Sequence, residues 1–495
     1  MRRAVRRRWS LRGLVLGLAL VGAGCRAAED GLGRSGPSRD DEQGGEVIDA
    51  LARGKADGLT VGPIFFDRAC EPGRRITLAA VGDLLLHDSI QTMAEALADP
   101  EEPDAEARGA AAYRVFFGEI EGDLAEADLT LANLEVPLAR NLNSAGKEQV
   151  LKEKDLYDGS VYSGWPMFNA HPSFARTVKS LGIDVVTTAN NHALDRRSAG
   201  ADATIAALDA VGLAHVGTVV KGETLDSAHR GVLLESHGIR IAVLAYTYDT
   251  NGLEDPYRQV SLLDRETILA DVAAWRARPD VDLVIVAPHW GIEYMTAPTK
   301  AQRTLALEAL EAGADAVIGG HPHVLQPMER HVTADGRETF VIYSLGNFFS
   351  GQVGTAKRST VILYLGVTKP VAGRAFLNGV RYLPVYVNTV YDETYKRWLR
   401  KAVAVDRDKK LEHLRPFITN LMGGVTNLVQ PDEPVVTARR PEAEGGCSEP
   451  RRTDAGAGMD GGRDGGVAAP DAGARDAGSR DVRRDAGAAK TPSPR

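Results

Sequence analysis

The stretch Asp315-Ala316-Val317-Ile318-Gly319-Gly320-His321-Pro322-His323 joins a short apolar run to two glycines and two closely spaced histidines. The run is expected to be a buried strand that stops abruptly on the glycines. Successive side chains of an extended chain point to opposite faces, but Gly320 and Pro322 break that alternation. Both imidazoles can therefore turn toward one site at the carboxyl edge of a sheet, where open α/β folds hold their ligands. Imidazole binds zinc, manganese or iron. A lone histidine is more often a hydrogen-bonded core or surface residue. Repetition of the pattern elsewhere is what turns this pair toward a metal.

Four further expected strands end in the same way. Ile76–Val81 runs into Gly82-Asp83, with His87 four residues on. Asp128–Asn133 continues into Leu134-Glu135, and Asp184–Ala189 into Asn190-Asn191-His192 with Asp195 following. Asp282–Ala287 leads to His289-Trp290-Gly291, then Glu293 and Tyr294. Asp and Asn are favoured in turns and caps as well. Five endings that together supply carboxylates, an amide oxygen and imidazoles exceed what capping explains, so a metal site is expected. Two divalent ions about 3.5–4 Å apart can share a carboxylate and clamp both sides of a displacement at phosphorus. Oxygen and nitrogen donors without thiolate suit manganese, iron or zinc. A histidine beside such ions, but not bound to them, can protonate a leaving alkoxide.

The elements that must position these residues alternate between strand and helix, which argues for a layered α/β domain. Helices are expected over about 111–127, Pro172–Leu181, Thr267–Arg278 and Ala301–Ala312. The last of these carries Leu305, Ala306, Ala309 and Leu310 at helical spacing. Residues 140–170 read as a loop insertion over the sheet edge, and Gly231–Ala245 as a hairpin turning at His237-Gly238. Phe340–Ser344, Thr360–Leu365 and Val380–Val387 suggest an antiparallel half. Tyr391–Leu421 is expected to be mostly helical and to cap the domain. The main domain is placed at 73–395 and a C-terminal helical cap at 396–447.

The ends differ in character. Arg2, Arg3, Arg6, Arg7, Arg8 and Arg12 precede the apolar run Leu14–Val21 and small residues up to Cys25, the layout of a secretory signal over residues 1–25. Arg7-Arg8 also permits twin-arginine export. Gly22-Ala23-Gly24-Cys25 resembles a bacterial lipoprotein cleavage site, which would leave Cys25 lipidated and the chain membrane-anchored at the cell envelope. The usual leucine three residues before the cysteine is absent, and ordinary signal-peptidase cleavage is the alternative. Residues 26–72 read as a flexible tether that ends in the apolar Val61–Phe66. Residues 448–495, rich in Ala, Gly, Asp and Arg, read as a disordered tail. Cys70 and Cys447 flank the folded region and are expected to form a disulfide. The formal charge of -8 gives no basic surface for nucleic acid.

Taken as a set, Gly-Asp83, Asn-Leu-Glu135, Ala-Asn-Asn-His192-Ala-Leu-Asp195, His289-Trp-Gly-Ile-Glu-Tyr294, Gly-His321-Pro-His323 and Tyr-Ser-Leu-Gly-Asn347-Phe resemble the capsule-synthesis protein CapA family. That family, also called poly-γ-glutamate synthesis proteins, lies within the calcineurin-like metallophosphatase superfamily. The resemblance covers roughly residues 75–390. It implies a four-layer α/β/β/α sandwich with one or two divalent metals at the strand ends. It assigns Asp83 and His323 to a first metal, Glu135 to a bridge, and Asn191, His289 and His321 to a second metal. His192 matches the general acid, with Asp195 orienting it or capping a helix. Glu293, Tyr294 and Asn347 would lie around the ligands. The superfamily usually begins Asp-x-His, and here the second position is Leu85; His87 reaches in only if its loop bends. Glu135 replaces a shorter aspartate. The resemblance implies a hydrolase of a phosphoester or related bond in capsule or poly-γ-glutamate assembly, alongside other capsule-assembly proteins. A non-catalytic component that holds or exports an anionic polymer, and a nucleotidase or phosphodiesterase unrelated to capsule, remain open.

Overall fold

The computed structural model describes residues 62–151 and 156–428. The signal-like segment with Cys25, most of the expected tether and the C-terminal tail lie outside the described residues. Cys70 is disulfide-bonded, and Cys447, its expected partner, also lies outside them.

Two sheets carry the fold. In the first, β1 (Arg74–Leu85), β2 (Leu129–Leu134), β3 (Val185–Thr187) and β4 (Ala214–Val216) are parallel neighbours. The sheet continues from β1 through antiparallel β12 (Ser359–Lys369), β13 (Phe376–Asp392) and β14 (Arg397–Ala404). Short β11 (Asn347–Ser350) pairs in parallel with the carboxyl end of β1. The second sheet runs β5 (Gly231–Ser236), β6 (Ile239–Thr247), β7 (Leu283–His289), β8 (Ala316–Ile318), β10 (Glu338–Ile342) and β9 (Met328–Val332). Within it β6, β7, β8 and β10 are parallel, and β5 and β6 form the expected hairpin at His237-Gly238.

Strand residues alternate between two buried environments, as parallel strands covered on both faces must. In β7, Leu283, Ile285 and Ala287 enter a core between the sheets, while Val284 and Val286 face helices. The central core joins Leu78, Leu131 and Val185 to Val243, Ile318 and Phe340, and Ile64 and Phe66 pack into it. Outside the first sheet lie α1 (Asp88–Leu97), α2 (Ala105–Arg114), short α3 (Glu121–Ala125), α4 (Ser173–Ser180) and α5 (Arg197–Ala210), with Ile90, Tyr113, Leu124, Phe174 and Leu208 against it. Outside the second lie α6 (Arg265–Ala277) and α7 (Lys300–Ala312), with Val272, Ala306 and Leu310 inward. The result is the expected α/β/β/α sandwich.

One device repeats at the amino edge of both sheets. Asp128, Asp184, Asp282 and Asp315 each precede a parallel strand. Each accepts a hydrogen bond on its carboxylate from the backbone N–H of the preceding strand: Thr77 at 2.7 Å, and Thr130, Arg240 and Val284 at 2.9 Å. Each also donates its own N–H to that residue's carbonyl, at 2.8–2.9 Å. Four two-bond clamps thus fix where each strand starts beside its neighbour.

Three expectations need correction. Tyr391–Leu421 is not mostly helical: Tyr391 lies at the carboxyl end of β13, β14 follows a tight turn with Lys396 at φ 52°, and only α8 (Leu414–Leu421) is α-helical. β14 pairs with β13 from Asp392↔Arg397 to Val385↔Ala404. Filling an open sheet edge outweighs the high helix propensity of Arg, Lys and Ala. The helix over 111–127 is broken between α2 and α3, where Phe116, Phe117 and Ile120 turn inward. Finally, α1, α5 and β4 stand where no element was assigned. Asp184→Ala is expected to lower unfolding free energy by about 1–3 kcal/mol by orphaning the Thr130 N–H. Asp184→Asn, which keeps an acceptor, should lose clearly less; equal losses in urea titrations would show that the clamp is not what stabilises β3.

Candidate metal centre

The inter-sheet phase of the strands delivers the site. In β2, Leu129 and Leu131 face the central core, and the same parity continues through Asn133 to Glu135. In β3, Val185 and then Ala189 face it, and Asn191 follows two residues on. In β7 the inward series 283, 285, 287 ends on His289. β1 needs a correction of phase, because Ala79 and Val81 face the helices. A register shift between Ala80 and Asp83 turns Asp83 inward, a common use of bulges beside functional sites. Leu85 keeps the helix-facing phase and is buried in that layer.

After β8 the backbone is bent rather than pleated. His321 has φ 95° and His323 φ 59°, a region that side chains other than glycine's seldom occupy. Gly320 is where the chain must come closest: a Cβ there would lie 2.9 Å from Asp83 Oδ1 and 3.7 Å from His289 Nδ1. Both histidines consequently reach the same place.

Two buried donor sets result, Glu135–His289–His321 and Asp83–Glu135–His323, each with ligand atoms within 4.8 Å of one another. Glu135 belongs to both. Its Oε1 lies 3.4 Å from His289 Nε2 and 3.8 Å from His323 Nε2. Asp83 Oδ2 is 3.3 Å from His323 Nδ1, and Asn191 Oδ1 is 2.8 Å from His289 Nε2. Both oxygens of Glu135, Oδ2 of Asp83 and Nδ1 of His321 are buried without a hydrogen-bond partner. Orphaned acceptors at this density are costly, and the donor types suit a divalent cation. The residues present fit the metal that the sequence implied.

Titration follows from the same packing. Burial, and then Asp83, pushes the Glu135 carboxyl up to about 8. Burial drives His289 down to about 3 and His321 down to about 2, leaving neutral imidazoles with lone pairs to give. Burial opposes charge on His323 too, but Glu135 and Asp83 outweigh it and hold the ring up to about 9. Burial likewise opposes Asp83 ionisation, and His323 beside it carries the balance downward.

His192 stands beside these sets without joining either. Its Nδ1 is 2.8 Å from Asp195 Oδ2, and despite burial this contact raises its pKa. Asp195 also accepts the Phe168 N–H at 2.6 Å. It caps no helix, since α5 begins after Arg196 without a side-chain cap; of its two expected roles the orienting one is built. Phe168 packs edge-on between His192 and His87, with centroids at 4.7 and 5.0 Å. His87 Nδ1 lies 3.3 Å from Leu85 O and 3.2 Å from Gly351 N, and His87 joins neither donor set. Glu293 is exposed at the rim. Tyr294 lies 6.0 Å from the His323 ring, under the Lys357 ammonium at 4.7 Å. Asn347 is fully buried beside Asp83.

Three contributors escaped the sequence. Asn133 donates to Asp83 Oδ1 at 2.8 Å, lies 3.3 Å from His289 Nδ1, and accepts from Thr187 Oγ1 at 2.9 Å. It ties both halves together. Asn251 accepts from Asn191 Nδ2 at 3.2 Å and sits 3.5 Å from His192 Nδ1. Tyr248 packs 4.5 Å from the His321 ring. The last two follow β6, whose carboxyl end is a further strand ending of the same kind.

Donor sets sharing one carboxylate, where parallel strands of an α/β/β/α sandwich converge, define a metallophosphatase-like domain. The chain belongs to the bacterial capsule synthesis protein PGA_cap family, whose model matches residues 77–352. It is 32% identical over 204 residues to the PGA biosynthesis protein CapA of Bacillus subtilis, covering 40% of this chain and 51% of that one. It is 30% identical over 200 residues to the capsule biosynthesis protein CapA of Bacillus anthracis, covering 39% and 47%. The chain thus spans about half the length of these curated relatives. The NAD nucleotidase NadN of Haemophilus influenzae aligns over 72% of this chain and 57% of its own at 12% identity and a TM-score of 0.37, too slight a likeness to build on.

Gly320→Ala should weaken metal binding by about tenfold or more while the fold survives, because its methyl would lie 2.9 Å from Asp83 Oδ1 and displace that carboxylate. Calorimetric titration at wild-type affinity would refute the crowding argument. Metal should also raise the melting temperature, and the gap to EDTA-treated protein should widen as pH climbs from 6.5 to 9. Glu135 and His323 both have raised folded pKa values. Their contribution to the metal-free fold is complete below the unfolded values and is lost as pH rises through about 8 and 9. A gap that narrows over this range contradicts the proton accounting.

Proposed function

We propose that this chain is an exported, membrane-anchored, metal-dependent hydrolase of a phosphoester or related bond, acting in capsule or poly-γ-glutamate assembly. The observation that carries the reading is the pairing of donor sets sharing Glu135 with a fourth histidine, His192, that joins neither set and is held by a buried carboxylate. Bound divalent ions supply Lewis acidity toward a phosphoryl oxygen and activation of water. Asp83, Glu135, Asn191, His289, His321 and His323 would hold them.

The chain's own residues supply the rest. Asp195 fixes the His192 ring through Nδ1 and so leaves Nε2 to face the reacting group. The same contact keeps a proton on the imidazole, as donation to a leaving oxygen requires. Phe168 excludes water from one side of that ring. Tyr248 and Tyr294 flank the ligand histidines on the other, and the Lys357 ammonium above Tyr294 gives the mouth a positive charge suited to an anionic substrate. Exposed Ile292, Met295 and Val353 lie near in sequence to these rim residues. Family membership supports the capsule setting, and the lipoprotein-like Gly22-Ala23-Gly24-Cys25 segment is what supports anchoring.

The test loads the full chain with manganese, zinc or iron and assays p-nitrophenyl phosphate and bis(p-nitrophenyl) phosphate. Hydrolysis is expected, with His192→Ala lowering turnover about 100- to 10,000-fold at unchanged metal content. Metal that binds without any hydrolysis would instead support a centre that holds or exports an anionic polymer.

A further inference from the structure

The half-site at Asp83 has a gap in its ligands. Where the metallophosphatase pattern places a histidine, Leu85 faces the helix layer, and His87 joins neither donor set. What stands beside Asp83 instead is Asn347. The two are register partners on parallel β1 and β11, which puts their side chains on one face of the sheet. The Asp83 N–H donating to Gly346 O at 2.9 Å pins that register.

The Asn347 amide can be oriented in only one way. Its Nδ2 meets three acceptors: His323 O at 3.3 Å, Gln352 Oε1 at 3.0 Å and Lys357 O at 3.1 Å. None of these can donate to an amide oxygen, so nitrogen must face them. Oδ1 is thereby turned away from all three, fully buried and without a hydrogen-bond partner. An unsatisfied acceptor beside a buried carboxylate is out of place in a structural asparagine and in place in a ligand.

We propose that Asn347 Oδ1 is the oxygen donor that completes the Asp83–Glu135–His323 half of the centre. This rests on the metal-centre reading above. Each half then has four contributing side chains: Asp83, Glu135, His323 and Asn347 on one side, and Glu135, Asn191, His289 and His321 on the other. An asparagine oxygen serves in each. The side-chain Nδ2 contacts of Asn347 position its amide as Asn251 positions that of Asn191.

The test is equilibrium dialysis and calorimetric titration of the full chain with Mn(II), with metal counted by mass spectrometry. Wild type is expected to hold two equivalents. Asn347→Ala should weaken one class of site at least tenfold and leave the other unchanged. Asn347→Asp keeps an oxygen donor while losing all three N–H bonds, and should retain both equivalents. Wild-type binding by Asn347→Ala overturns the proposal, as does Asn347→Asp behaving like Asn347→Ala, since the nitrogen would then be what matters. A wild type holding one equivalent whose affinity Asn347→Ala leaves unchanged overturns it alone; less than one equivalent overturns the centre as well. Should the variants fail to fold, a crystal structure of the Mn(II)-loaded wild type decides: Oδ1 at about 2.2 Å from an ion supports the assignment, and Oδ1 beyond about 3 Å ends it.

Discussion

Two carboxylates with no access to water, Asp83 and Glu135, set the terms for everything around them. Removing such a group from water costs several kcal/mol per ion unless opposite charge and hydrogen bonds replace the lost solvent. The protein supplies little of that. Asn133 satisfies one oxygen of Asp83, His323 carries one positive charge, and His289 and His321 are kept neutral. The remaining acceptors stay open. These acceptors suit a divalent cation, and the backbone is bent to gather them: positive φ at His321 and His323 costs about 1–3 kcal/mol each. Only a rigid sandwich can impose this.

The sandwich divides its labour between two edges. At the amino edge, four aspartates clamp the starts of β2, β3, β7 and β8 to their neighbours. At the carboxyl edge the same strands release Glu135, Asn191, His289 and His321. Because side-chain direction reverses with every residue, a slip of one position would send the ligands of a strand into the helix layers. Clamping the starts protects the endings. β1 is the exception that shows the rule, since its unbroken phase would carry Asp83 outward and a local shift restores it. The clamps and the centre are therefore one mechanism, seen at opposite ends of the same strands.

Much of this was legible in the sequence because metal donors are few in kind and here always follow an apolar run. The strand endings gave every residue of both donor sets, and the family resemblance gave their pairing and the layered fold. What escaped did so for physical reasons. Asn133 looks like any turn residue, and only the approach of two sheets makes its amide a link between Asp83 and His289. Tyr248 and Asn251 follow a strand that looked complete as a hairpin. Asp195 was compatible with capping or orienting until the start of α5 was seen to lie beyond it. β14 has a composition that tolerates helix, and its pairing partner is fixed by tertiary structure alone.

His321 and His323 began as equivalent residues and end as opposites. Two positions apart, one is driven down to about 2 and the other held up to about 9. His323 faces both carboxylates, so its proton is stabilised by the charges a metal would use. His321 faces two histidines and Tyr248, and has no proton to give up at neutral pH. Binding at the His321 half therefore needs loss of protons only from Glu135, whereas the Asp83 half must also displace the one on His323. The half that departs from the superfamily pattern at Leu85 is thus also the half in closer competition with protons. The closer competition comes from the placement of His323 between Asp83 and Glu135.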